Sequence, residues 1–129
     1  MTNRMSKFTH HLFVCGKCKP SKRLSKGKTH DPGKLRAALK KEIKRLGIKA
    51  QVRANDSGCL DQCDDGQVVV IYPQAIWYGG VGVEDAERII HETILAGNIL
   101  EDLRIPGERL RCGKAKKSDS TAAEPKQEN

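Results

Sequence analysis

The sequence predicts an α/β sandwich, a mixed four-stranded sheet with two main helices. Three observations support this. An apolar stripe at helical spacing, opened by Asp31-Pro32, stands between two strand-like stretches. A continuous branched run from Gln67 to Tyr72 is followed by a short second leg, Ile76 to Tyr78. A second apolar stripe then begins at Val83 or Glu84 and stops at Gly97. At 129 residues the length suits one domain, and 37% apolar with 4% aromatic content means a small core of Val, Ile, Leu and Ala.

In order along the chain, His11 to Cys15 is the first strand, since branched and aromatic residues cluster there. Gly16 to His30 is rich in Lys, Ser, Gly and Pro with only Leu24 apolar, so it is expected to be a mobile basic loop that buries no face. Asp31 can cap free backbone N–H groups, and Pro32 at the first helical position gives up no hydrogen bond. Leu35, Leu39, Ile43 and Leu46, backed by Ala38, carry the helix to a left-handed stop at Gly47. Ile48, Ala50, Val52 and Ala54 alternate as in a half-buried strand, and Asn55 to Gly66 is a turn-rich loop. Gln67 to Tyr72 suits a central strand ended by Pro73, and Ile76 to Tyr78 completes a hairpin. In the second helix Ala86, Ile89, Ile90, Ile94 and Leu95 form the buried stripe, with Glu84, Asp85 and Glu87 in a first turn whose dipole favours anions. Ile99, Leu100, Leu103, Ile105 and Leu110 are expected to strap onto the core. Strand, helix, strand, hairpin, helix is the plan of a thioredoxin-like sandwich. It is assigned to residues 8–112, with a flexible N-terminus at 1–7 and a disordered tail at 113–129.

Charge is uneven. The net charge is +8, but Gly16 to Arg53 holds 14 Lys or Arg against Asp31 and Glu42, so the remainder is net negative. A block of this kind steers a protein toward phosphates or an acidic protein, or is simply a solvated face. It contains no Phe, Tyr or Trp on which bases could stack, which makes nucleic acid the weaker of these partners. No apolar run approaches the ~20 residues of a membrane span, and Met1 to Lys7 is followed by no signal-like segment. A cytoplasmic protein with no membrane partner is therefore expected. Nucleotide-binding glycine motifs, Gly-x-Ser-x-Gly and His-Glu-x-x-His are all absent, which argues against an enzyme.

Five cysteines in a reducing compartment point to metal ligands or redox groups rather than to a disulfide framework. Cys15 ends the first strand with Cys18 close behind, and Cys59 and Cys63 bracket Leu60-Asp61-Gln62 before the third strand. Two close pairs at one sheet edge can surround a metal centre with four thiolates. Iron-sulfur and zinc both accept such a set. Cys15-Gly16-Lys17-Cys18 after a strand also matches a thioredoxin dithiol, with Lys residues that would favour the thiolate. Against a thiol oxidoreductase, Pro73 follows the third strand, whereas the proline facing a thioredoxin dithiol precedes it. Cys112, between Arg111 and Gly113, reads as a bystander, His10 and His11 as strand-edge residues, and His91 as a helix residue without a partner at ligand spacing. Trp77 and Tyr78 read as hairpin packing.

Ser57-Gly58-Cys59-Leu60-Asp61-Gln62-Cys63, the run Asp64 to Pro73, Trp77-Tyr78 and Val83 to Ala86 together resemble the thioredoxin-like 2Fe-2S ferredoxins. His11 to Cys15 is similar to the opening strand and first cluster ligand of that family. The resemblance spans residues 8 to 105 and is most specific from 57 to 86. It implies a one-electron carrier with one 2Fe-2S cluster per chain, a homodimer contact around Trp77-Tyr78, and Cys15, Cys59 and Cys63 as the first, third and fourth ligands. The second family ligand would fall near Lys26 to His30, where no cysteine stands. Cys18 is preferred in that role, since a thiolate is the better donor to iron; His30, which would raise the potential, and loss of the cluster are the alternatives. Gly58 and Gly66 allow backbone N–H groups to approach the sulfurs, and Asp61, Asp64 and Asp65 should lower the potential. The basic block then calls for a redox partner with an acidic face. The competing reading is a clusterless or zinc-stabilised thioredoxin-fold binding module for an acidic protein or nucleic acid.

Overall fold

The computed structural model describes residues 7–16, 19–21, 24, 27–60, 62 and 65–110. Strand β1 (His10–Cys15) leads through the basic segment to helix α1 (Pro32–Arg45), then to β2 (Val52–Ser57), β3 (Val69–Tyr72) and β4 (Ile76–Tyr78). The sheet order is β2-β1-β3-β4, with β1 and β2 parallel and the other pairs antiparallel. The mixed sandwich is thus as the sequence predicts, with α1 as the crossover between its two parallel strands.

Helix α1 forms for the reasons its sequence gives. Asp31 accepts from the Lys34 N–H at 3.0 Å, Pro32 occupies the first turn, and Gly47 takes a φ of 72° beyond the end. Leu35, Leu39 and Ile43 enter the core together with Leu12, Val14, Val52, Ala54, Val69, Ile71 and Tyr78 from one face of the sheet. The other face carries Phe13, Val70 and Trp77 in register across β1, β3 and β4.

Several elements depart from expectation. β2 begins at Val52 because the Gln51 and Val52 N–H groups both return to the Ile48 carbonyl, closing a turn where alternation predicts strand. It ends at Ser57 because Asn55, Asp56 and Ser57, expected as loop, pair with Phe13, Val14 and Cys15. β1 is an interior strand, so His10 and His11 are not edge residues; the His11 ring meets Asn55 Oδ1 of β2 at 2.8 Å and stacks on Phe13. The second helix changes winding along its length, from 3-10 (Val83–Asp85) through α (Ala86–Arg88) to π (Ile89–Leu95). Wider winding takes Leu95 off the buried stripe, leaving it 50% exposed, while Ile89, Ile90, Thr93 and Ile94 stay buried. Ile99 is also exposed, yet Leu103 and Ile105 are buried and Arg104 bridges to Tyr78, so the strap expected after the helix is present.

The basic segment is not simply a solvated loop. Ser21 is buried and donates its N–H to the Gly66 carbonyl at 2.8 Å, and Lys28 pairs with the buried Asp85 at 2.9 Å. Glu84 receives both the N–H and the hydroxyl of Thr29, hydrogen bonds that lower the Glu84 pKa. Glycines make this docking possible. A Cβ at Gly80, where φ is 61°, would strike the Leu24 side chain and come within 2.9 Å of its carbonyl oxygen. Cys112 and the expected tail lie outside the described residues.

Candidate metal centre

The candidate site lies where β1 and β2 end side by side. Parallel register sets Cys15 opposite Ser57, and the Gly16 N–H donates to the Ser57 carbonyl at 3.1 Å. Cys59 therefore follows two residues beyond the partner of Cys15. Cys15 is fully buried and Cys59 is exposed, so one thiol stands inside the fold and the other at its rim. Cys18 and Cys63, the other two expected ligands, lie outside the described residues, as do Asp61 and Asp64. Among the described residues no group of three or more His, Cys, Asp or Glu side chains could hold a metal ion. His30 is half-buried just ahead of the α1 cap, and the adjacent Thr29 carbonyl accepts from the Val83 N–H at 3.0 Å.

A small apolar cluster forms the floor of the site: Cys15, Val68 and Ile105 are buried together, with Leu60, Trp77 and Leu110 packed around them. Trp77 thus serves packing, as expected, and Tyr78 is fully buried with its hydroxyl on Thr93 at 2.6 Å and on the Leu100 N–H at 3.0 Å.

Polar side chains fix the loop into β3. Gln67, fully buried, donates Nε2 to the Cys15 carbonyl at 2.6 Å and to the Val68 carbonyl at 3.2 Å. Buried Asp65 accepts from Arg109 Nη2 at 2.6 Å and from Gln62 Nε2 at 2.7 Å, and Gln62 also reaches the Arg109 carbonyl. Asp65, expected as a negative charge close to the site, is therefore neutralised by a guanidinium. The Gly80 N–H donates to the Asp65 carbonyl at 2.9 Å, and a Cβ at Gly79 would lie 2.6 Å from that same oxygen. Sequence reasoning missed Gln62, Gln67 and Arg109. The Gly79-Gly80 pair carries such a signal, since a double glycine after a strand permits close backbone approach.

This set fits a cluster held by thiolates. Cys15 and Cys59 are soft donors at adjacent strand ends, the floor is apolar, and the buried carboxylate Asp65 is paired. It fits a thiol oxidoreductase poorly, since a reactive thiol needs partial exposure and Cys15 has none.

The chain is similar to known 2Fe-2S ferredoxins. The chain is 30% identical over 97 residues to a 2Fe-2S ferredoxin of Clostridium pasteurianum, covering 74% of this chain and 95% of that protein. It is 41% identical over 49 residues to a 2Fe-2S ferredoxin of Aquifex aeolicus, covering 38% and 44%. The wild-type thioredoxin-like [2Fe-2S] ferredoxin structure from Aquifex aeolicus superposes with a TM-score of 0.63 at 27% identity, covering 78% of this chain and 99% of that one. No family model matches the sequence.

Proposed function

This chain belongs to the thioredoxin-like 2Fe-2S ferredoxin family, and we propose that it is a cytoplasmic one-electron carrier holding one 2Fe-2S cluster on Cys15, Cys18, Cys59 and Cys63. The observation that carries the reading is the parallel register of β1 and β2, with Cys15 opposite Ser57 and Cys59 two residues further on. A bound 2Fe-2S cluster would supply reversible one-electron chemistry at iron held by sulfur. The chain's own residues do the rest. Gln67 holds the Cys15 carbonyl, the parallel pairing fixes the start of the Cys59 loop, and the Asp65–Arg109 pair removes a buried negative charge that would oppose an anionic thiolate set. Exposed Cys59 supports access for a partner at the rim. Among the described residues no helix is long and apolar enough to cross a membrane. The reading extends to a homodimer, supported by the apolar sheet face of Phe13, Val70 and Trp77 and checked by sedimentation.

The test is an ultraviolet-visible spectrum with iron, sulfide and zinc analysis of protein purified without oxygen. Two irons and two sulfides per chain are expected, abolished in Cys15→Ser, Cys59→Ser and Cys18→Ser and retained in His30→Ala. Loss in His30→Ala with retention in Cys18→Ser would move the second ligand to His30. Colourless protein, with or without zinc, would overturn the carrier.

A further inference from the structure

Between α1 and β2 runs a groove of about 670 Å³ whose lining includes Arg36, Lys40, Lys41, Lys44, Lys49 and Arg53 and no carboxylate. Its floor is apolar, formed by Ile43, Val52 and Ala54. Arg36 is paired, through Nε to Asp56 Oδ1 at 2.9 Å, and Arg53 donates to Asn55 Oδ1. Lys40, Lys41, Lys44 and Lys49 are exposed, and among the described residues they form no ion pair. Lys40 and Lys44 stand four residues apart on one helix, where like charges oppose helix formation. The fold therefore concentrates positive charge here without recovering it internally.

We propose that this groove is the docking surface for an extended, carboxylate-rich segment of a partner protein. Three features select that occupant. The wall opposite α1 is β2, the edge strand of the sheet, whose outer row of backbone groups can meet an extended chain. Four of the six cations are lysines, point charges suited to separate carboxylates, and the lining holds no aromatic ring on which a base could stack. This chain's own remaining residues are not complementary, for beyond Leu110 Arg and Lys number five against three Asp and Glu. The groove also leads to the candidate site. Asp56, at the Arg36 end, lies three residues before Cys59, a separation of at most roughly 11 Å along an extended chain. Docking rests on charge and shape alone; its use for electron exchange rests on the function proposed above.

The experiment measures binding of a fluorescent ten-residue Asp/Glu peptide, and of a single-stranded oligonucleotide of equal charge, to the full chain as purified. Wild type is compared with Lys40→Glu/Lys44→Glu and with Lys34→Glu, a single charge reversal of the same kind on α1 outside the groove. The expected result is at least ten-fold weaker peptide binding in the double variant, less than two-fold change in Lys34→Glu, and affinity that falls with salt. Equal losses in both variants, salt-indifferent binding, or tighter binding of the oligonucleotide would overturn the proposal. So would self-association of the protein alone that is lost in Lys40→Glu/Lys44→Glu, which would give the groove to a second copy. Each variant's visible spectrum is recorded alongside: colourless protein with groove-dependent peptide binding removes the electron carrier and leaves the docking surface standing.

Discussion

The described residues form two apolar clusters of very different make. The larger, between one sheet face and both helices, is built from Leu, Ile and Val side chains at regular periods, and many residues share its burial. The smaller, around Cys15, has Cys15, Val68 and Ile105 as its buried members among the described residues, and polar contacts from Gln62, Asp65, Gln67 and Arg109 surround it. The difference teaches where stability and site geometry reside. A redundant apolar cluster holds the fold, whereas a sparse one with individually placed hydrogen bonds holds the ends of β1 and β2, where the proposed ligands Cys15 and Cys59 stand.

The strongest way to break this comparison is to open a cavity in the large cluster. Leu39, fully buried on α1, should cost about 2–5 kcal/mol of global stability when changed to Ala, read from the denaturant midpoint. Whatever fraction folds should still bind its full complement of iron, since no contact at the cysteine end is removed. Unchanged stability with lost iron would reverse the assignment of roles.

Next in size is the small cluster. Arg109 is partly exposed, but Asp65, which it neutralises, is almost fully buried. Arg109→Ala leaves a carboxylate without its charged partner and should cost about 1–3 kcal/mol. The loss should appear first as faster hydrogen exchange at residues 65–68 and as lower iron retention, before global unfolding. An Asp65→Asn partner change in the same background should restore part of both. A uniform rise in exchange across α1 and β1 would mean that the two clusters are one cooperative unit.

How legible each region is in sequence follows from the same contrast. α1, β1, β3 and β4 were readable because apolar period, Asp31-Pro32, Gly47 and Pro73 all point to one structure. The start of β2 was misread because the alternation from Ile48 is in phase with the true strand, and only a backbone turn at 48–52 separates them. The winding of the second helix was not legible either, because Ile89, Ile90 and Ile94 satisfy an α stripe and a π stripe alike up to Leu95. At the cysteine end, Cys15 and Cys59 were visible as residue types, but Gln67 and Arg109 act through contacts 52 and 44 residues distant, which leave no local pattern. Parallel pairing of β1 with β2 is what brings the two separate motifs to one end of the sheet.

The smallest effect sharpens the comparison from beside the large cluster, where a polar device joins the two helices. Glu42 is buried on α1 and receives the Arg45 guanidinium and, across to the second helix, the His91 ring at 2.5 Å. The Arg45 hydrogen bond, followed by that of His91, lowers its pKa from 4.5 to about 2. A carboxyl depressed in the folded state stabilises that state at every pH above the unfolded value, and the contribution is lost as pH falls from about 4.5 toward 2. Glu42→Gln should therefore flatten the acid limb of stability across that window while changing the spectrum at neutral pH not at all. The check is the denaturant midpoint of both proteins at pH 5 and pH 3. If the wild type and the Gln variant lose the same stability between those values, the helix-to-helix clamp contributes nothing, and the large cluster rests on apolar packing alone.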